Sequence, residues 1–349
     1  MKKLLNTLYV TTSNSYLSKD NQNVVVTSEG KELFRIPIHN IESIITFGYQ
    51  GASPGVMQLC TQQGVALSFF TPHGRFIARV QGGVKGNILL RTRQYEVMND
   101  ESGRGFLASR FIYGKIYNTR AILRRFIRDY SNIREVNEIE NTANELKQYC
   151  KKVLLLSDLD TIRGIEGTAA ASYFNVFPNL ILNQDKTFHF NGRTRRPPRD
   201  SVNAMLSFGY SLLANDCASA LEGVGLDPAA GMMHSLRPGR NSLALDLMEE
   251  MRGYMVDRFV ISLINTKQIS SRDFKIHSDS DSASQTSVVF TEAGLKKFLS
   301  AWQARKKTEF THPYLQEKIK IGLLPHVQAM LLARFLRGDL EDYPVFLIK

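Results

Sequence analysis

The segment GMMHSLRPGRNSLALDLMEEMRGYMVDRF (231–259) concentrates side chains that can bind a metal ion. Apolar residues recur along it at helical spacing and predict a helix that Asn241 or Ser242 caps. Acidic residues share another face of this helix, where like charges repel one another unless a cation joins them. The residues of that face are Asp246, Glu249, Glu250, Gly253 and Asp257. His234 lies just upstream and adds an imidazole, although a lone histidine is more often a structural residue than a ligand.

A further carboxylate stands in DLDTIRGIEGTAAASYF (158–174), which predicts a helix that begins near Ser157. Glycines and the alanine run 169–171 leave one face of this helix with little side-chain bulk, so another element can approach closely. Glu166 lies among these small residues, and a buried carboxylate must find a cation, a hydrogen-bond donor or a proton. An ion pair with Arg163 is the alternative to metal binding, and this segment alone favours the ion pair.

A basic loop precedes a third helix in GRTRRPPRDSVNAMLSFGYSLL (192–213). Two prolines hold the chain extended until the helix begins near Asp200. Arginine side chains bind phosphate oxygens well, and an extended loop loses little entropy on binding. Asn203 and Tyr210 lie two turns apart on one face of the helix and are candidates for supporting the ligands from behind. The loop carries Arg193, Arg195, Arg196 and Arg199, while Arg237 and Arg240 follow His234.

One imidazole with two or more carboxylates favours an oxygen-preferring divalent ion such as Mg²⁺ or Mn²⁺. Cysteine ligands are missing near these segments, which argues against structural zinc. Cys60, Cys150 and Cys217 are far apart and fit neither a disulfide framework nor a CxxC metal site. A reducing cytoplasm is therefore the expected location.

The charge balance of the 349-residue chain is basic, with 44 Lys+Arg against 33 Asp+Glu and a formal net charge of +11. Such a surplus fits a polyanionic partner, although a merely basic enzyme would show it too. No apolar run approaches the ~20 residues of a membrane-spanning helix, and the N-terminus turns polar before a signal sequence could form. No P-loop or Rossmann fingerprint is present, so nucleotide hydrolysis and hydride transfer have no motif support.

The elements that position these residues change in kind along the chain. The first ~85 residues alternate in hydropathy and are rich in β-branched and aromatic residues, which predicts strands. The predicted strands include LYVTT, NVVVTS, ELFRIPI, SIITFG, VALSFFT and RFIARV. SPGVMQLCTQQG (53–64) interrupts them with helical spacing between a proline and a glycine, and predicts a lone helix. Gly82, Gly83 and Gly86 then indicate a hinge.

Helical spacing dominates from residue 88 onward. One predicted helix has an apolar stripe of Ile112, Ile116, Leu123, Ile127 and Tyr130. Its opposite face, which we expect to be solvated, carries Lys115, Arg120, Arg124, Arg125 and Arg128. Further helices are predicted at about 136–156, 158–176, 200–222, 242–265, 291–306 and 312–337. HSDSDSASQTS (277–287) is typical of a flexible surface loop.

The expected fold class is therefore α+β, with a small β-sandwich-like N-terminal domain followed by a larger all-α domain. We place the first domain, which contains one short helix, at 1–86 and the second at 87–349. Two domains also suit a chain of this length, which is long for a single hydrophobic core.

Three motifs in a fixed order make the chain resemble the CRISPR adaptation integrase. They are RGIEGTAAASYF, RTRRPPRDSVNAMLSFGYSLL and GMMHSLRPGRNSLALDLMEEMR. The resemblance covers nearly the whole chain, including a β domain followed by an α domain. The ending DYPVFLIK is most similar to the type I-C branch. Members of this family insert new spacers into CRISPR arrays together with a small partner subunit.

The resemblance implies roles for individual residues. The family's catalytic metal ligands correspond to Glu166, His234 and Glu249, and its auxiliary acid corresponds to Asp246. Spacing alone leaves open whether Glu249 or Glu250 faces the metal. The candidates for gripping DNA phosphates are Arg193, Arg195, Arg196, Arg237 and Arg240.

The resemblance also implies a reaction and partners. The 3′-hydroxyl of an incoming DNA fragment attacks a phosphodiester at the edge of a repeat, and water in its place gives nuclease activity. A bound Mg²⁺ or Mn²⁺ lowers the pKa of the attacking hydroxyl and offsets charge on the phosphate oxygens. Family members are homodimers through the β domain, and two such dimers flank a dimer of the small partner. An end-trimming exonuclease is a further candidate partner.

Two other functions fit many of the same residues. A non-catalytic nucleic-acid-binding protein would keep the basic surface and use Glu166, His234 and Glu249 as structural ion-pair groups. Cleavage or strand transfer that depends on divalent ions would distinguish an enzyme from such a protein. An RNA-directed nuclease of similar geometry would differ in preferring RNA.

Overall fold

The structure is a computed structural model that describes residues 6–12, 14–82, 88–132, 135–195, 197–278 and 286–348. Its N-terminal part contains two small sheets and one helix. In chain order these elements are β1 (Thr7–Val10), β2 (Ser15–Asp20), β3 (Asn23–Ser28), β4 (Lys31–Pro37), β5 (Ser43–Phe47), α1 (Pro54–Gln63), β6 (Ala66–Phe70) and β7 (Phe76–Val80).

The two sheets enclose a hydrophobic cluster of their own. One sheet has the order β1-β5-β6-β7, with β1, β5 and β6 parallel and β7 antiparallel, and the other is the antiparallel meander β2-β3-β4. Helix α1 provides the crossover between the parallel strands β5 and β6. Leu17, Val24, Ile44 and Val56 are among the residues that pack between the sheets and this helix.

The predicted lone helix at 53–64 is confirmed as α1. The Oγ atom of Ser53 accepts a hydrogen bond from the Val56 N–H at 3.3 Å and caps its N-terminus. Gly64 ends the helix with a φ of +62°, a conformation that glycine adopts without steric cost. Strand β2 was not among the predicted strands, because Leu17 is the one aliphatic residue in SYLSKD and hydrophobic alternation is therefore missing. Leu17 is fully buried in the structure.

The remainder of the chain is mainly helical. Its helices are α2 (Ile88–Asn99), α3 (Glu101–Asp129), α4 (Val136–Val153), α5 (Leu159–Val176), α6 (Ser201–Gly223), α7 (Ser242–Arg252), α8 (Arg258–Asn265), α9 (Glu292–Lys307) and α10 (Leu324–Arg337). Residues Gly253–Asp257 between α7 and α8 form a π-helical turn. None of the described helices has the length and hydropathy that crossing a bilayer requires.

The predicted fold class is confirmed, and the helical part also contains two short hairpins that we did not predict. These are β8 (Phe274–Ser278) with β9 (Thr286–Phe290) and β10 (Glu309–Thr311) with β11 (Lys318–Lys320). The second hairpin makes the helix predicted at 312–337 wrong in its first part. The chain turns back between His312 and Glu317, whose backbone N–H and C=O bond at 2.8 Å, and α10 begins only at Leu324.

Residues 83–87 lie outside the described part of the chain, and so do Gly83 and Gly86 of the predicted hinge. The boundary between residues 86 and 87 therefore stays a prediction. Most of the predicted surface loop at 277–287 also lies outside the described residues, which stop at 278 and resume at 286. The large helical core includes Ile45, Phe47 and Phe70, so the strands pack directly against the helices.

Helix α3 packs against both α5 and α7 in the helical part. Gly114 permits a close approach of α3 to α7, since a Cβ atom at this position would lie 2.7 Å from the Cβ of Glu250. The next residue on α3, Lys115, is buried at this contact. The three helices thereby bring together side chains that are far apart in the sequence.

Candidate functional site

Two carboxylates and one ammonium group form the centre of the site. Glu166 projects from α5 and Glu249 from α7, and both face Lys115 of α3. The Lys115 Nζ atom contacts Glu166 Oε1 closely and lies 3.0 Å from Glu249 Oε2. Only 9% of the Lys115 side chain and 3% of the Glu249 side chain are exposed, so this group of charges is largely shielded from water.

His234 faces the same centre from the loop before α7. Its Nδ1 atom lies 2.6 Å from Asp246 Oδ1, and its Nε2 atom lies 4.0 Å from Glu249 Oε1. Because a carboxylate can only accept a hydrogen bond, Nδ1 carries a proton, and Nε2 is the ring nitrogen that faces Glu249. A histidine oriented by a carboxylate in this way is typical of metal-binding sites.

Asp246 also fixes the loop that carries His234. Its carboxylate accepts the backbone N–H groups of Met232 at 2.6 Å, Met233 at 3.0 Å and His234 at 2.9 Å. The side chain is completely buried, so these hydrogen bonds satisfy a charge that water cannot reach. Asp246 therefore supports His234 and does not itself face Lys115.

Glu249 remains ionised although it is buried. Burial opposes the charged form, but Arg252, Lys115 and His234 outweigh it and lower the pKa of Glu249 to about 2. Arg252 Nη2 lies 2.8 Å from Glu249 Oε1. Glu249 Oε2 has no hydrogen bond of good geometry, even though the Lys115 ammonium lies close to it.

Glu250 lies on a different side of α7, so the predicted face of stacked acids is wrong at this residue. Successive helical residues point about 100° apart, and Glu250 turns towards the C-terminal segment. Its carboxylate accepts hydrogen bonds from the Tyr343 hydroxyl, the Phe346 N–H and Gln328 Nε2. Glu249 is the acid that shares Lys115 with Glu166 and lies 4.0 Å from His234, and its role as the metal ligand in place of Glu250 stays a prediction.

A cavity opens beside Glu166 and Lys115, and Tyr210 and Asp257 form part of its wall. The Tyr210 hydroxyl donates to Asp257 Oδ1 at 2.5 Å, and its ring lies 4.7 Å from the Arg252 guanidinium carbon. Burial raises the pKa of Asp257 to about 6, although Tyr210 and Arg252 oppose the shift. Tyr210 thus connects α6 to the π-helical turn behind the site, where we expected a supporting residue.

Asn203 lies underneath the basic loop and holds it against the start of α6. Its Nδ2 atom donates to the Gly192 carbonyl at 2.9 Å, and its Oδ1 atom accepts the Thr194 N–H at 3.0 Å. The same Oδ1 accepts a bond from Arg193 Nη1 at 2.7 Å, and Arg193 Nη2 donates to Ser207 at 3.0 Å. Arg193 therefore uses its guanidinium inside the protein to hold the loop.

The other predicted phosphate-binding arginines differ in position. Arg195 is exposed and lines the cavity beside Glu166. Arg237 is exposed and Arg240 is partly exposed on the loop between His234 and α7. Arg196 lies outside the described residues. The structure thus brings Arg195 to the carboxylate centre and leaves Arg237 and Arg240 on the neighbouring loop.

The ion pair between Glu166 and Arg163 that the segment favoured is not formed. Arg163 donates hydrogen bonds to Asp160 at 2.7 Å and to the Met233 carbonyl at 2.8 Å. The cation that pairs with Glu166 is Lys115. Lys115 was predicted to lie on a solvated basic face. A signal for its burial was present, since Lys115 lies three residues after the buried Ile112 and directly before the buried Ile116.

The side chains of Glu166, His234 and Glu249 have the chemistry that an oxygen-preferring divalent ion needs, but their present positions do not form a binding geometry. Within the described ranges, no three His, Cys, Asp or Glu side chains lie close enough together to hold an ion as they stand. His234 Nε2 lies 4.0 Å from Glu249 Oε1, and Glu249 Oε2 is buried without a hydrogen bond, which leaves this oxygen able to take a ligand. The Lys115 ammonium occupies the space between the two carboxylates.

Comparison with known sequences gives a consistent set of relatives. The family model for CRISPR associated protein Cas1 matches residues 8–304. The chain is 47% identical to CRISPR-associated endonuclease Cas1 1 of Chlorobaculum tepidum over 99% of both chains. It is 46% identical to CRISPR-associated endonuclease Cas1 2 of Rhodospirillum rubrum, over 99% of this chain and 98% of that one. A Cas4 exonuclease/Cas1 endonuclease fusion of Geobacter sulfurreducens is 31% identical over 98% of this chain and 60% of its own length.

Solved structures share the fold at lower sequence identity. A CAS1 protein from Thermotoga maritima matches with a TM-score of 0.79 and 24% identity, over 95% of this chain and 97% of that chain. A casposase bound to integration product matches with a TM-score of 0.80 and 24% identity, over 98% and 94%. A chain of a Cas6-RT-Cas1–Cas2 complex gives 0.85 and 21%, over 100% of this chain and 37% of that chain.

Proposed function

The chain belongs to the Cas1 family of CRISPR-associated proteins, and on that premise we propose that it is a metal-dependent DNA endonuclease and integrase. It would insert DNA fragments into a CRISPR array by attack of a 3′-hydroxyl on repeat phosphodiesters. The observation that supports the proposal is that Glu166 and Glu249, from separate helices, contact the same Lys115 ammonium, while His234 Nε2 lies 4.0 Å from Glu249. Relatives with up to 47% identity are named endonucleases, which supports the same reaction class.

Glu166, His234 and Glu249 would hold a Mg²⁺ or Mn²⁺ ion in this proposal. When bound, such an ion lowers the pKa of an attacking hydroxyl and offsets charge that develops on phosphate oxygens. Asp246 engages Nδ1 of His234, so Nε2 is the ring nitrogen that would bind the ion. The pKa of Glu249, lowered to about 2 against burial by its basic neighbours, keeps that carboxylate ionised at neutral pH.

The arginines around the cavity would bind phosphates of the DNA backbone. Arg195 lines the cavity next to Glu166, where a phosphate that reaches the site would pass. Arg237 and Arg240 extend the basic surface along the loop that follows His234. Arg196 is also proposed to bind DNA phosphates. Arg193 would act indirectly by holding the loop through Asn203 and Ser207. The net charge of +11 favours association with a polyanion.

Assembly into a homodimer through the β domain is part of the proposal. Strand β4 is an edge of its sheet and exposes Leu33 by 50% and Phe34 by 47%. An exposed apolar edge strand invites pairing with another chain, and a second copy is the simplest partner. One relative is a Cas4 exonuclease/Cas1 endonuclease fusion, and one fold neighbour is a chain of a Cas6-RT-Cas1–Cas2 complex. We therefore also propose a small adaptation partner of the Cas2 kind and an end-trimming exonuclease.

The test is a strand-transfer assay with the partner subunit, supercoiled repeat DNA and an end-labelled fragment. We expect joining of the label to the plasmid in Mn²⁺ or Mg²⁺ and none in a chelator. A fragment with 3′-deoxy ends should not be joined, because it lacks the attacking hydroxyl. Binding without any ion-dependent change in the DNA would favour the non-catalytic alternative, and preferential cleavage of an RNA fragment would favour an RNA-directed nuclease.

A further inference from the structure

Lys115 occupies an unusual position for a lysine. It is 8% exposed, lies in the middle of the 29-residue helix α3, and brings its ammonium group between carboxylates from two other helices. A lysine buried at this level is costly unless its charge is paired. Glu166 and Glu249 provide that pairing, and the contact with each of them is within hydrogen-bonding distance.

The oxygens that Lys115 contacts are the ones that the proposed ion would need. Glu249 Oε1 is already engaged by Arg252 at 2.8 Å, which leaves Oε2 as its free ligand atom, and Oε2 faces Lys115 Nζ at 3.0 Å. Glu166 Oε1 faces the same Nζ. Mg²⁺ binds oxygen at about 2.0–2.1 Å, so the ion and the ammonium would compete for one pair of oxygen atoms.

The charges of this group are balanced without an ion. The carboxylates of Glu166 and Glu249 face the cations of Lys115 and Arg252. A divalent ion at the same place would put two further positive charges beside Nζ in a site of low dielectric constant, where like charges repel strongly. The ammonium must therefore leave the carboxylates when the ion binds, and it then needs a new anion.

The cavity next to Lys115 indicates what that anion is. Lys115 is itself part of the cavity wall, together with Arg195, Tyr210 and Arg252. A flexible four-carbon side chain can turn into this space without movement of α3. A phosphate oxygen of nucleic acid bound in the wider adjoining cleft, which Glu166 and Arg195 also line, would accept a hydrogen bond from the ammonium group.

We propose that Lys115 is an internal counter-ion that exchanges partners: a divalent ion displaces it from Glu166 and Glu249, and a phosphate of bound DNA receives it. This inference rests on the metal role given to Glu166, His234 and Glu249 above. It predicts that the ion and the DNA bind cooperatively, because each removes an obstacle to the other. Without DNA, Lys115 competes with the ion and keeps its affinity low.

The experiment measures Mn²⁺ affinity by calorimetry for the full-length protein, with and without a DNA fragment that has 3′-deoxy ends. We expect Lys115→Met to bind Mn²⁺ about tenfold or more tightly than the wild type in the absence of DNA. DNA should raise the Mn²⁺ affinity of the wild type and leave that of Lys115→Met almost unchanged. Lys115→Arg, which keeps the charge, should retain weak ion binding and its dependence on DNA.

Equal or weaker Mn²⁺ binding by Lys115→Met would overturn the inference, as would the same DNA effect in both proteins. Glu249→Gln separates this failure from a failure of the proposed function. If Glu249→Gln loses Mn²⁺ binding while Lys115→Met resembles the wild type, only the role of Lys115 is wrong. If no variant and no wild-type protein binds Mn²⁺, the metal site itself is wrong.

A second measurement does not depend on how well a variant folds. Crystals of the wild-type protein soaked in Mn²⁺ should show the ion between Glu166 and Glu249 with Lys115 Nζ turned away from both. An ion bound there with Nζ still bridging the two carboxylates would contradict the exchange.

Discussion

His234 depends on Asp246 for its orientation. The bond from Nδ1 to Asp246 fixes the ring, and the same carboxylate holds the three backbone N–H groups from Met232 to His234. A histidine without such a partner can rotate and expose either nitrogen to a ligand. Asp246, the auxiliary acid that the family resemblance implies, therefore determines that Nε2 is the ring nitrogen that faces Glu249.

Asp246→Asn should weaken Mn²⁺ binding by about ten- to a hundredfold, because the loss of a carboxylate partner lowers the basicity and order of a histidine ligand. Calorimetry with the purified protein measures this directly. Asp339→Asn, a substitution at a surface residue that pairs with Arg337, is the matched control and should leave the affinity unchanged. Equal Mn²⁺ affinity for Asp246→Asn and the wild type would contradict the role of Asp246.

Asp257 should make the stability of the protein depend on pH. Burial raises the pKa of Asp257 to about 6, so the folded protein holds this proton more tightly than the unfolded chain does. The stabilisation is complete below the unfolded pKa of about 3.9 and is lost as the pH rises through about 6. Asp257→Asn carries no such proton.

The free energy of unfolding of the wild type, relative to Asp257→Asn, should therefore fall between about pH 4 and about pH 7 by up to about 3 kcal/mol. Urea denaturation of both proteins across this range provides the measurement. A difference that stays constant with pH would show that Asp257 does not titrate within the folded protein.

The residues of the site were predictable to different extents. Glu166, His234 and Glu249 follow from motifs that the sequence displays. Lys115 does not, because its partners lie 51 and more residues away and only the packing of α3 against α5 and α7 brings them together. Glu250 could not be separated from Glu249 by spacing, since the rotation of α7 is set by Tyr343 and Phe346 at the other end of the chain.

At the scale of elements, the basic loop 192–199 combines an internal anchor with an exposed tip. Arg193 and Asn203 form the anchor, while Arg195 projects to the surface beside the cavity. A loop held in this way presents its outer arginine with little loss of entropy. The anchor and the tip should therefore respond differently to substitution.

Arg195→Ala should weaken DNA binding similarly across sequences and reduce its dependence on salt, because one phosphate contact and its released counterions are lost. Its melting temperature should match that of the wild type. Asn203→Ala should lower the melting temperature, since it removes several hydrogen bonds of a completely buried side chain. An unchanged salt dependence for Arg195→Ala would place this arginine off the DNA path.

The elements themselves were predicted well where hydrophobic periodicity is long and regular. Helices α5, α6 and α9 begin and end within a few residues of their predicted positions. The prediction at 312–337 failed because a strand of only three residues, β11, leaves no periodic signal in its sequence. Strand β2 was missed for a related reason. Its mostly polar side chains give no hydrophobic alternation, and the strand forms by pairing with β3.

At the scale of the whole molecule, the proposed joining of both ends of a fragment needs two active sites, and each chain would supply one. None of the proposed metal ligands lies in the β part of the chain. The exposed apolar side chains of β4 make this part the best candidate for bringing two copies together.

Leu33→Asp combined with Phe34→Asp should produce a monomer, because buried charges destabilise an apolar interface. Sedimentation should show the change, and concerted two-end integration should be lost while nicking remains. Tyr49→Asp is the control, since Tyr49 is 77% exposed but lies outside the strands. A monomeric wild-type protein at assay concentration would contradict the proposed assembly, and so would two-end integration by the double variant.

The most direct test of the central claim compares two neighbouring acids in the strand-transfer assay. Glu249→Gln should abolish Mn²⁺-dependent joining of a labelled 3′ end to repeat DNA, because it removes the charge of a proposed metal ligand. Glu250→Gln should retain joining, because burial raises the pKa of Glu250 to about 7 and its hydrogen bonds point to Tyr343 and Phe346, away from the site. Full activity of Glu249→Gln together with an inactive but folded Glu250→Gln would contradict this account of the site.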